Sequence, residues 1–442
     1  MTSTQRARLE RVIGLPDAIA MVVGVIIGVS IFVQPAEVSR YVPSIPGIFA
    51  VWFGAGLLTL CGALVCAELS SAFPRTGGVY VFLHETISPA AGFLWTWAMF
   101  WIAHSGIIAA SSVVFARYAS SFLPLGDLGL RLVAIAGILL LSALNYIGVR
   151  QGSGFQTVVT ALKVAGILVI LLLAVVLGRS APSAGPPAAV VAPRYSASDF
   201  ALAVGAGLFA FGGWHMVTYS ADETQRPERT IPRALLIGVL TVSASYIALN
   251  AACLYLLPLD RVIHSNRVAA DAAEVLIGTK GAAAISFLVL ISASGVLNGV
   301  ILAGPRVYMA MAERYPRLAW MGAVHPRFHT PHIAIVAQAV WSTILVATGT
   351  YRQLFSRVVY TEWIFFALMT FGLLRARRRA NYDPPYRTPL YPFVPVLFMA
   401  AAVGVAFYQI AADPWQASAG IAFVLLGLPI YRFWIRKSRS PA

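Results

Sequence analysis

The chain has 442 residues, of which 59% are hydrophobic and only 11% are charged, and its mean hydropathy is +0.78. Soluble domains carry about 25% charged residues, so this composition excludes a soluble globular protein and predicts an all-α polytopic membrane protein. The net charge of +15 does not indicate nucleic-acid binding, because most of the arginines fall in segments expected on the cytoplasmic side of a lipid bilayer.

Twelve apolar segments of membrane-spanning length follow one another along the chain, and each predicts a transmembrane helix. Their approximate bounds are 12–38, 45–73, 89–118, 128–147, 154–178, 198–220, 233–256, 281–312, 332–349, 357–376, 392–411 and 417–435. An even number of spans behind a basic first segment predicts that both ends of the chain are cytoplasmic and that the protein lies in the cell (inner) membrane.

The first span is interrupted by two glycines, a serine and a glutamine between Gly24 and Pro35. A glycine inside a helix costs about 1 kcal/mol relative to alanine. An opened helix also leaves N–H and C=O groups that hydrocarbon cannot satisfy, so a break is tolerated only beside a cavity or a ligand. We therefore predict a transporter whose substrate binds at this break. Close helix packing through small residues is the alternative explanation for the glycines.

A second interruption, from Phe209 to His215, lies in the sixth span, behind a segment rich in proline, alanine and serine at 179–197. Broken helices therefore stand first in two groups of five spans. Because five is odd, the second group enters the membrane in the opposite sense, which is typical of inverted repeats with a midplane binding site. The predicted organisation is a first repeat at 1–178, an external linker at 179–197, a second repeat at 198–380 and two further helices at 381–442.

Three sequence blocks resemble the amino acid–polyamine–organocation superfamily, and in particular its L-type amino acid transporters and bacterial amino acid permeases. They are Gly28 to Phe32, Glu68 to Tyr80, and Asp222 to Ala234. The resemblance implies the leucine-transporter fold with twelve helices, alternating access and an amino-acid-like substrate. One position departs from the family pattern, because Ser30 stands where the family motif Gly-Ser-Gly has its second glycine. This side chain bears on the pocket size and on the choice of substrate.

An amino acid zwitterion needs amides for its carboxylate, as at a helix N-terminus, and carbonyls for its ammonium group. The two breaks can supply both, with the Ser30 and Ile31 amides for the carboxylate and carbonyls of Ile27, Phe209 and Phe211 for the ammonium group. The predicted substrate-binding residues are Ile27, Gly28, Val29, Ser30 and Ile31 in the first break and Phe209, Ala210, Phe211, Gly212 and Gly213 in the second. By the resemblance, Phe209 matches an aromatic residue that closes over the substrate.

Aromatic surroundings from Phe209 and Trp214 favour a small neutral amino acid as the substrate. The alternative is a cationic amino acid or a polyamine, which would want a carboxylate near the membrane midplane. Glu362, near the outer start of the tenth span, would support this alternative if it turned inward to the pocket.

Lys163 lies about 13 Å into the bilayer at 1.5 Å per residue, where a lipid-facing cation is costly, so we expect it to face the protein interior. The resemblance places it where sodium-coupled relatives hold a sodium ion. A fixed ammonium group there implies sodium-independent transport, by exchange or by proton coupling. His215 and, less strongly, His104 are candidates for proton coupling, with hydrogen-bonded packing as the alternative role.

The cysteines Cys61, Cys66 and Cys253 all lie in apolar segments and form neither a disulfide framework nor a metal-binding pattern. The carboxylates and histidines are too dispersed for a membrane enzyme, and we expect no cofactor, no nucleic-acid partner and no accessory subunit. The remaining alternative of another class is a channel or an amino acid sensor built on the same scaffold.

Overall fold

The computed structural model describes residues 9–120, 122–178, 195–265, 267–348 and 351–435, with the backbone alone at 351–360, 416, 434 and 435. The predicted linker therefore lies almost wholly outside the described residues. Across the described residues the chain is helical, and the single β-bridge joins Ile13 to Thr224.

The described ranges contain eighteen α-helices in chain order. They are α1 (Leu15–Ile26), α2 (Ser30–Tyr41), α3 (Ile45–Ala72), α4 (Val79–Thr86), α5 (Pro89–Ala98), α6 (His104–Ala119), α7 (Asp127–Tyr146), α8 (Val149–Leu177), α9 (Ala197–Ala210), α10 (Pro227–Leu256), α11 (Leu259–His264), α12 (Val268–Ile277), α13 (Thr279–Ala312), α14 (His332–Thr348), α15 (Tyr351–Ala376), α16 (Phe393–Ala412), α17 (Pro414–Leu425) and α18 (Gly427–Pro429). The 3₁₀ segments are Trp214–Glu223 and Pro316–Gly322, and the π-helical segments are Met99–Ala103 and Ile430–Ile435.

Eight helical segments of the described chain are long and apolar enough to cross a membrane, and the bent pair α1 and α2 raises the number to nine. The predicted ninth and twelfth spans correspond to shorter apolar helices, His332–Thr348 and Ala417–Phe433. The prediction of an all-helical, multi-pass membrane protein is therefore confirmed.

The first span breaks where its glycines predict. α1 ends at Ile26, α2 starts at Ser30, and the two helix axes are bent by 45°. Gly28 lies in the break, and a Cβ atom there would come within 2.9 Å of Val296 on α13. A larger residue would therefore push the break away from α13.

The sixth span breaks in a different way. α9 ends at Ala210, and the chain turns through Gly213, whose φ of +93° is a left-handed conformation that favours glycine. The chain then continues as a 3₁₀ segment to Glu223 instead of resuming an α-helix. The second predicted break is thus also present in the structure.

The sequence analysis did not anticipate the two short helices α11 and α12 between α10 and α13. Each has ten residues or fewer, which is too short for a span, so its apolar residues gave no transmembrane signal. α1 packs against α8, α10 and α13. The first break is therefore surrounded by protein rather than by lipid.

Candidate substrate site

A cavity of about 110 Å³ lies between the two helix breaks. By the usual allowance for a water-sized sphere, this is room for about seven or more waters. Its other walls come from α6, α13 and α15 and are mostly apolar or aromatic, including Trp363 and Phe366. Seven of the ten predicted substrate-binding residues line it, namely Gly28, Val29, Ser30, Phe209, Ala210, Gly212 and Gly213.

The other three predicted residues, Ile27, Ile31 and Phe211, are buried behind the cavity surface. The Phe211 ring packs against Trp52 and Tyr246, with ring centres 6.5 and 4.9 Å apart. These three residues could therefore serve a ligand through their main-chain groups and not through their side chains.

Backbone amides are left without backbone acceptors at the start of α2. Phe32 donates to the Val29 carbonyl at 3.0 Å, but Ser30 and Ile31 donate to no backbone carbonyl among the described residues. Free amides of a first helical turn, with the positive end of the helix dipole, form a site for an anionic group. Ser30 also lines the cavity, so the amides predicted for the substrate carboxylate lie at its edge.

Tyr246 of α10 links the two breaks, and the sequence analysis missed it. Its hydroxyl oxygen lies 2.8 Å from the Ile26 carbonyl oxygen and 2.9 Å from that of Ala210. These carbonyls belong to the last residues of α1 and α9. The available signal was a tyrosine in the middle of an apolar span, because a buried hydroxyl needs a hydrogen-bond partner.

Lys163 faces the interior, as predicted. Its Nζ donates to the Gly24 carbonyl at 2.8 Å and to the Ile27 carbonyl at 2.9 Å, and the side chain is fully buried. A Cβ atom on Gly295 of α13 would lie 2.5 Å from this Nζ. The ammonium group thus lies between α1, α8 and α13. It donates to the Ile27 carbonyl, which was predicted to bind the ammonium group of the substrate.

A polar network lies beside Lys163. Asn298 donates to the Gln156 side chain at 2.9 Å and to the Gly152 carbonyl at 3.0 Å, and Asn145 donates to Asn298 at 2.8 Å. These hydrogen bonds join α7, α8 and α13. They hold the helix that carries Lys163 in register with its neighbours.

Glu362 of α15 lines the cavity, with 7% of its surface exposed. Its Oε1 is buried without a hydrogen-bond partner among the described residues. From sequence alone this residue was expected near the outer start of its helix, and no carboxylate was clearly central. The structure therefore meets the condition that was stated for a cationic substrate.

His215 is fully buried but does not line the cavity. Its ring lies 4.9 Å from that of Phe366 and 5.5 Å from those of Trp214 and Tyr219, measured between ring centres. Neither ring nitrogen has a hydrogen-bond partner in the described part of the chain. The second predicted coupling residue is thus separated from the cavity by an aromatic layer.

The end of the 3₁₀ segment is tied to two other segments of the chain. Arg306 of α13 makes a buried two-pronged ion pair with Glu223, at 2.8 and 3.0 Å. Ile13 adds main-chain hydrogen bonds of 2.9 Å to Glu223 and Gln225. Three sequence-distant segments are therefore tied together at this end.

A second ion pair fastens the ends of α3 and α15. Arg377 donates to both carboxylate oxygens of the buried Glu68, at 2.8 and 2.5 Å. These hydrogen bonds raise the pKa of the Arg377 guanidinium, which lies just beyond α15. The Thr388 amide completes the coordination of Glu68 at 2.7 Å.

Comparison with known proteins assigns the family. The family model described as amino acid permease matches residues 13–429. The chain belongs to this family. The permease is 32% identical to the serine/threonine exchanger SteT of Bacillus subtilis (strain 168), over 97% of this chain and 98% of that protein.

Two further relatives show the range of the family. The human cystine/glutamate transporter is 26% identical over 99% of this chain and 88% of its own length. The rabbit large neutral amino acids transporter small subunit 2 is 28% identical over 98% of this chain and 82% of its own length. The protein is therefore a membrane transporter of amino acids and not an enzyme. Because the relatives are named for different substrates, the substrate of this permease has to be argued from its own cavity.

Proposed function

We propose that this permease carries small neutral amino acids by alternating access and without sodium. In this proposal twelve membrane helices form two inverted repeats, at 1–178 and 198–380, followed by two further helices. Both chain ends are cytoplasmic and the protein lies in the cell membrane. The observation that carries the proposal is that the two helix breaks, one after Ile26 and one after Ala210, line a single cavity.

The zwitterion of the substrate fits the groups at these breaks. Its carboxylate would accept hydrogen bonds from the Ser30 and Ile31 amides, which have no backbone acceptor among the described residues. Its ammonium group would bind carbonyls of the second break. The substrate side chain would then point towards Phe209 and Trp214, which both line the cavity.

The cavity volume supports a small substrate. About 110 Å³ is several times the roughly 10–15 Å³ that a single water needs, so the cavity has room for a ligand of several heavy atoms, such as serine or threonine. Ser30 reduces the space further relative to the glycine of the family motif, so we expect bulky aromatic amino acids to be poor substrates.

Sodium independence is supported by Lys163. Its Nζ already donates hydrogen bonds to the Gly24 and Ile27 carbonyls. A sodium ion bound at the first break would need these same main-chain oxygens as ligands. The driving force is then exchange or proton coupling.

A cationic amino acid or a polyamine is the second candidate substrate. The position of Glu362 favours it, because this carboxylate lines the cavity and its Oε1 has no partner among the described residues. Charged groups inside membrane proteins normally pair with one another or face a cavity that holds a charge.

Counterflow in liposomes tests the proposal. The purified chain alone is reconstituted, the vesicles are loaded with unlabelled serine, and labelled serine is added outside with choline in place of sodium. We expect transient accumulation of the label, with serine, alanine and threonine competing better than tryptophan. A channel or a sensor gives no accumulation. Because no other protein is present, counterflow also tests our proposal that no accessory subunit is needed.

A further inference from the structure

Glu362 stands out because it is a buried carboxylate in a mostly apolar cavity. The side chain is more than nine-tenths buried, and the Oε1 atom has no hydrogen-bond partner among the described residues. Around it the cavity wall is formed by aromatic residues such as Trp214, Trp363 and Phe366. An unpaired carboxylate in such surroundings is costly once water is excluded.

No cation of the described chain is free to neutralise this carboxylate. Lys163 and Arg306 are the fully buried cations of the described residues, and each is committed elsewhere. Lys163 donates to the carbonyls of the first break, and Arg306 is paired with Glu223. The compensating charge has to come from outside the protein.

The titratable groups on this side of the cavity carry no permanent charge. The 3₁₀ segment contributes Tyr219 and His215, whose ring centres lie 5.5 Å apart. The ring of His104 on α6 lies 5.6 Å from that of Tyr219, and its Nδ1 lies 3.1 Å from the hydroxyl of Tyr308 on α13. None of these groups forms an ion pair with Glu362.

We propose that Glu362 is neutralised by whatever enters with the substrate. A basic amino acid supplies its side-chain cation, whereas a neutral amino acid is accompanied by one proton that converts the carboxylate to the carboxylic acid and leaves again on release. The loaded permease then carries the same net charge with either class of substrate. This inference rests on the proposed function. It implies that neutral and basic amino acids, the two candidate substrate classes, both bind at the same site.

The sharpest test uses two amino acids of the same shape. Norvaline ends in a methyl group where 2,4-diaminobutyrate ends in an ammonium group, and the two molecules are otherwise the same. The full chain is reconstituted in liposomes loaded with 2,4-diaminobutyrate and a pH-sensitive dye, and norvaline is added outside. We expect each exchange to bring one proton inward and to move no net charge, whereas exchange of norvaline for norvaline changes the internal pH not at all.

Variants locate the proton. Glu362→Gln should abolish the proton movement that accompanies each exchanged norvaline. It should also lower the affinity for 2,4-diaminobutyrate relative to that for norvaline by at least about tenfold, which corresponds to the loss of one charge-assisted hydrogen bond. Glu37→Gln, the same replacement at a half-exposed carboxylate of α2, should leave both quantities unchanged.

The failures of the inference and of the proposed function are distinguishable. If the wild-type chain exchanges neither amino acid, the proposed function fails. If it exchanges norvaline but rejects 2,4-diaminobutyrate, or exchanges the two with a net charge and no acidification, the inference is overturned while the function stands. Unchanged proton movement in Glu362→Gln also overturns it. Should that variant not fold, the acidification measured with the wild-type chain decides alone.

Discussion

The two helix breaks that border the cavity are held open by different means. At the first break, the side chain of Lys163 from α8 donates to the Gly24 and Ile27 carbonyls. At the second break, the left-handed Gly213 turns the chain, and the following 3₁₀ segment packs its Trp214 and His215 rings against Phe366. The first break is therefore stabilised by a charge, and the second by backbone conformation and aromatic packing.

This difference assigns different sensitivities to the two sides of the cavity. A break held by an ammonium group responds to any change of charge, including the arrival of another cation. A break held by glycine and by rings responds to steric change. Tyr246, whose hydroxyl contacts the last carbonyls of α1 and α9, bears on both breaks.

Removal of the charge at the first break should have the largest effect. Lys163→Ala leaves two buried carbonyls without a donor, and hydrogen bonds to a charged group are worth about 1.5–3 kcal/mol each. We expect counterflow to fall by about 100-fold or more, while the purified protein remains folded and monodisperse. Lys280→Ala, at an exposed lysine of α13, is the control. Unchanged transport and unchanged ion dependence in Lys163→Ala would show that the ammonium group does not stabilise the first break.

Steric change at the second break should have the next largest effect. Gly213→Ala forces a Cβ atom onto a left-handed backbone, which costs about 1–2 kcal/mol, and brings it against the Val25 side chain of α1. We expect about a tenfold loss of counterflow. In Gly404→Ala the new methyl group enters open space on α16, so that variant should transport normally. Equal activity of the two variants would show that the second break tolerates side chains.

The link between the breaks should contribute less. Tyr246→Phe removes only the hydroxyl group, which is worth about 1 kcal/mol as a hydrogen bond. We expect a several-fold loss of transport and a small decrease in the melting temperature. Tyr255→Phe on the same helix, where 59% of the tyrosine is exposed, is the matched control. If Tyr246→Phe behaves like Tyr255→Phe, the two breaks are not coupled through this residue.

The last change should leave the rate of transport of small substrates unchanged and alter only the choice of substrate. Ser30→Gly restores the glycine of the family motif and enlarges the cavity by about one hydroxymethyl group, worth roughly 1–3 kcal/mol in the discrimination of substrates. Leucine should then compete with labelled serine several-fold better than it does in the wild type, whereas alanine should compete about equally in both. An unaltered order of competitors would mean that Ser30 does not limit the pocket.

Much of this arrangement could be predicted from the sequence. Both breaks lie where glycines interrupt apolar spans. Glycines weaken a helix, and the backbone groups of a broken helix are tolerated within a membrane only beside a cavity or a ligand. The inward orientation of Lys163 followed from the cost of a cation in lipid. Both inferences depend only on residue type and on depth in the membrane.

The orientation of other side chains could not be predicted in this way. Glu362 and Tyr246 lie on helices whose buried and exposed faces are both apolar, so hydrophobic periodicity does not report the rotation of the helix. α11 and α12 are too short for a hydropathy signal. The engagement of the Ile27 carbonyl by Lys163 required the packing of α8 against α1, which no local pattern reveals.

A structure of the permease with a bound amino acid would show whether the two breaks form the substrate site. We expect the amino acid in the cavity between the two breaks, with its carboxylate within hydrogen-bond distance of the Ser30 and Ile31 amides and its side chain towards Phe209. An amino acid bound elsewhere, with the Ser30 and Ile31 amides satisfied by the protein itself, would contradict this expectation.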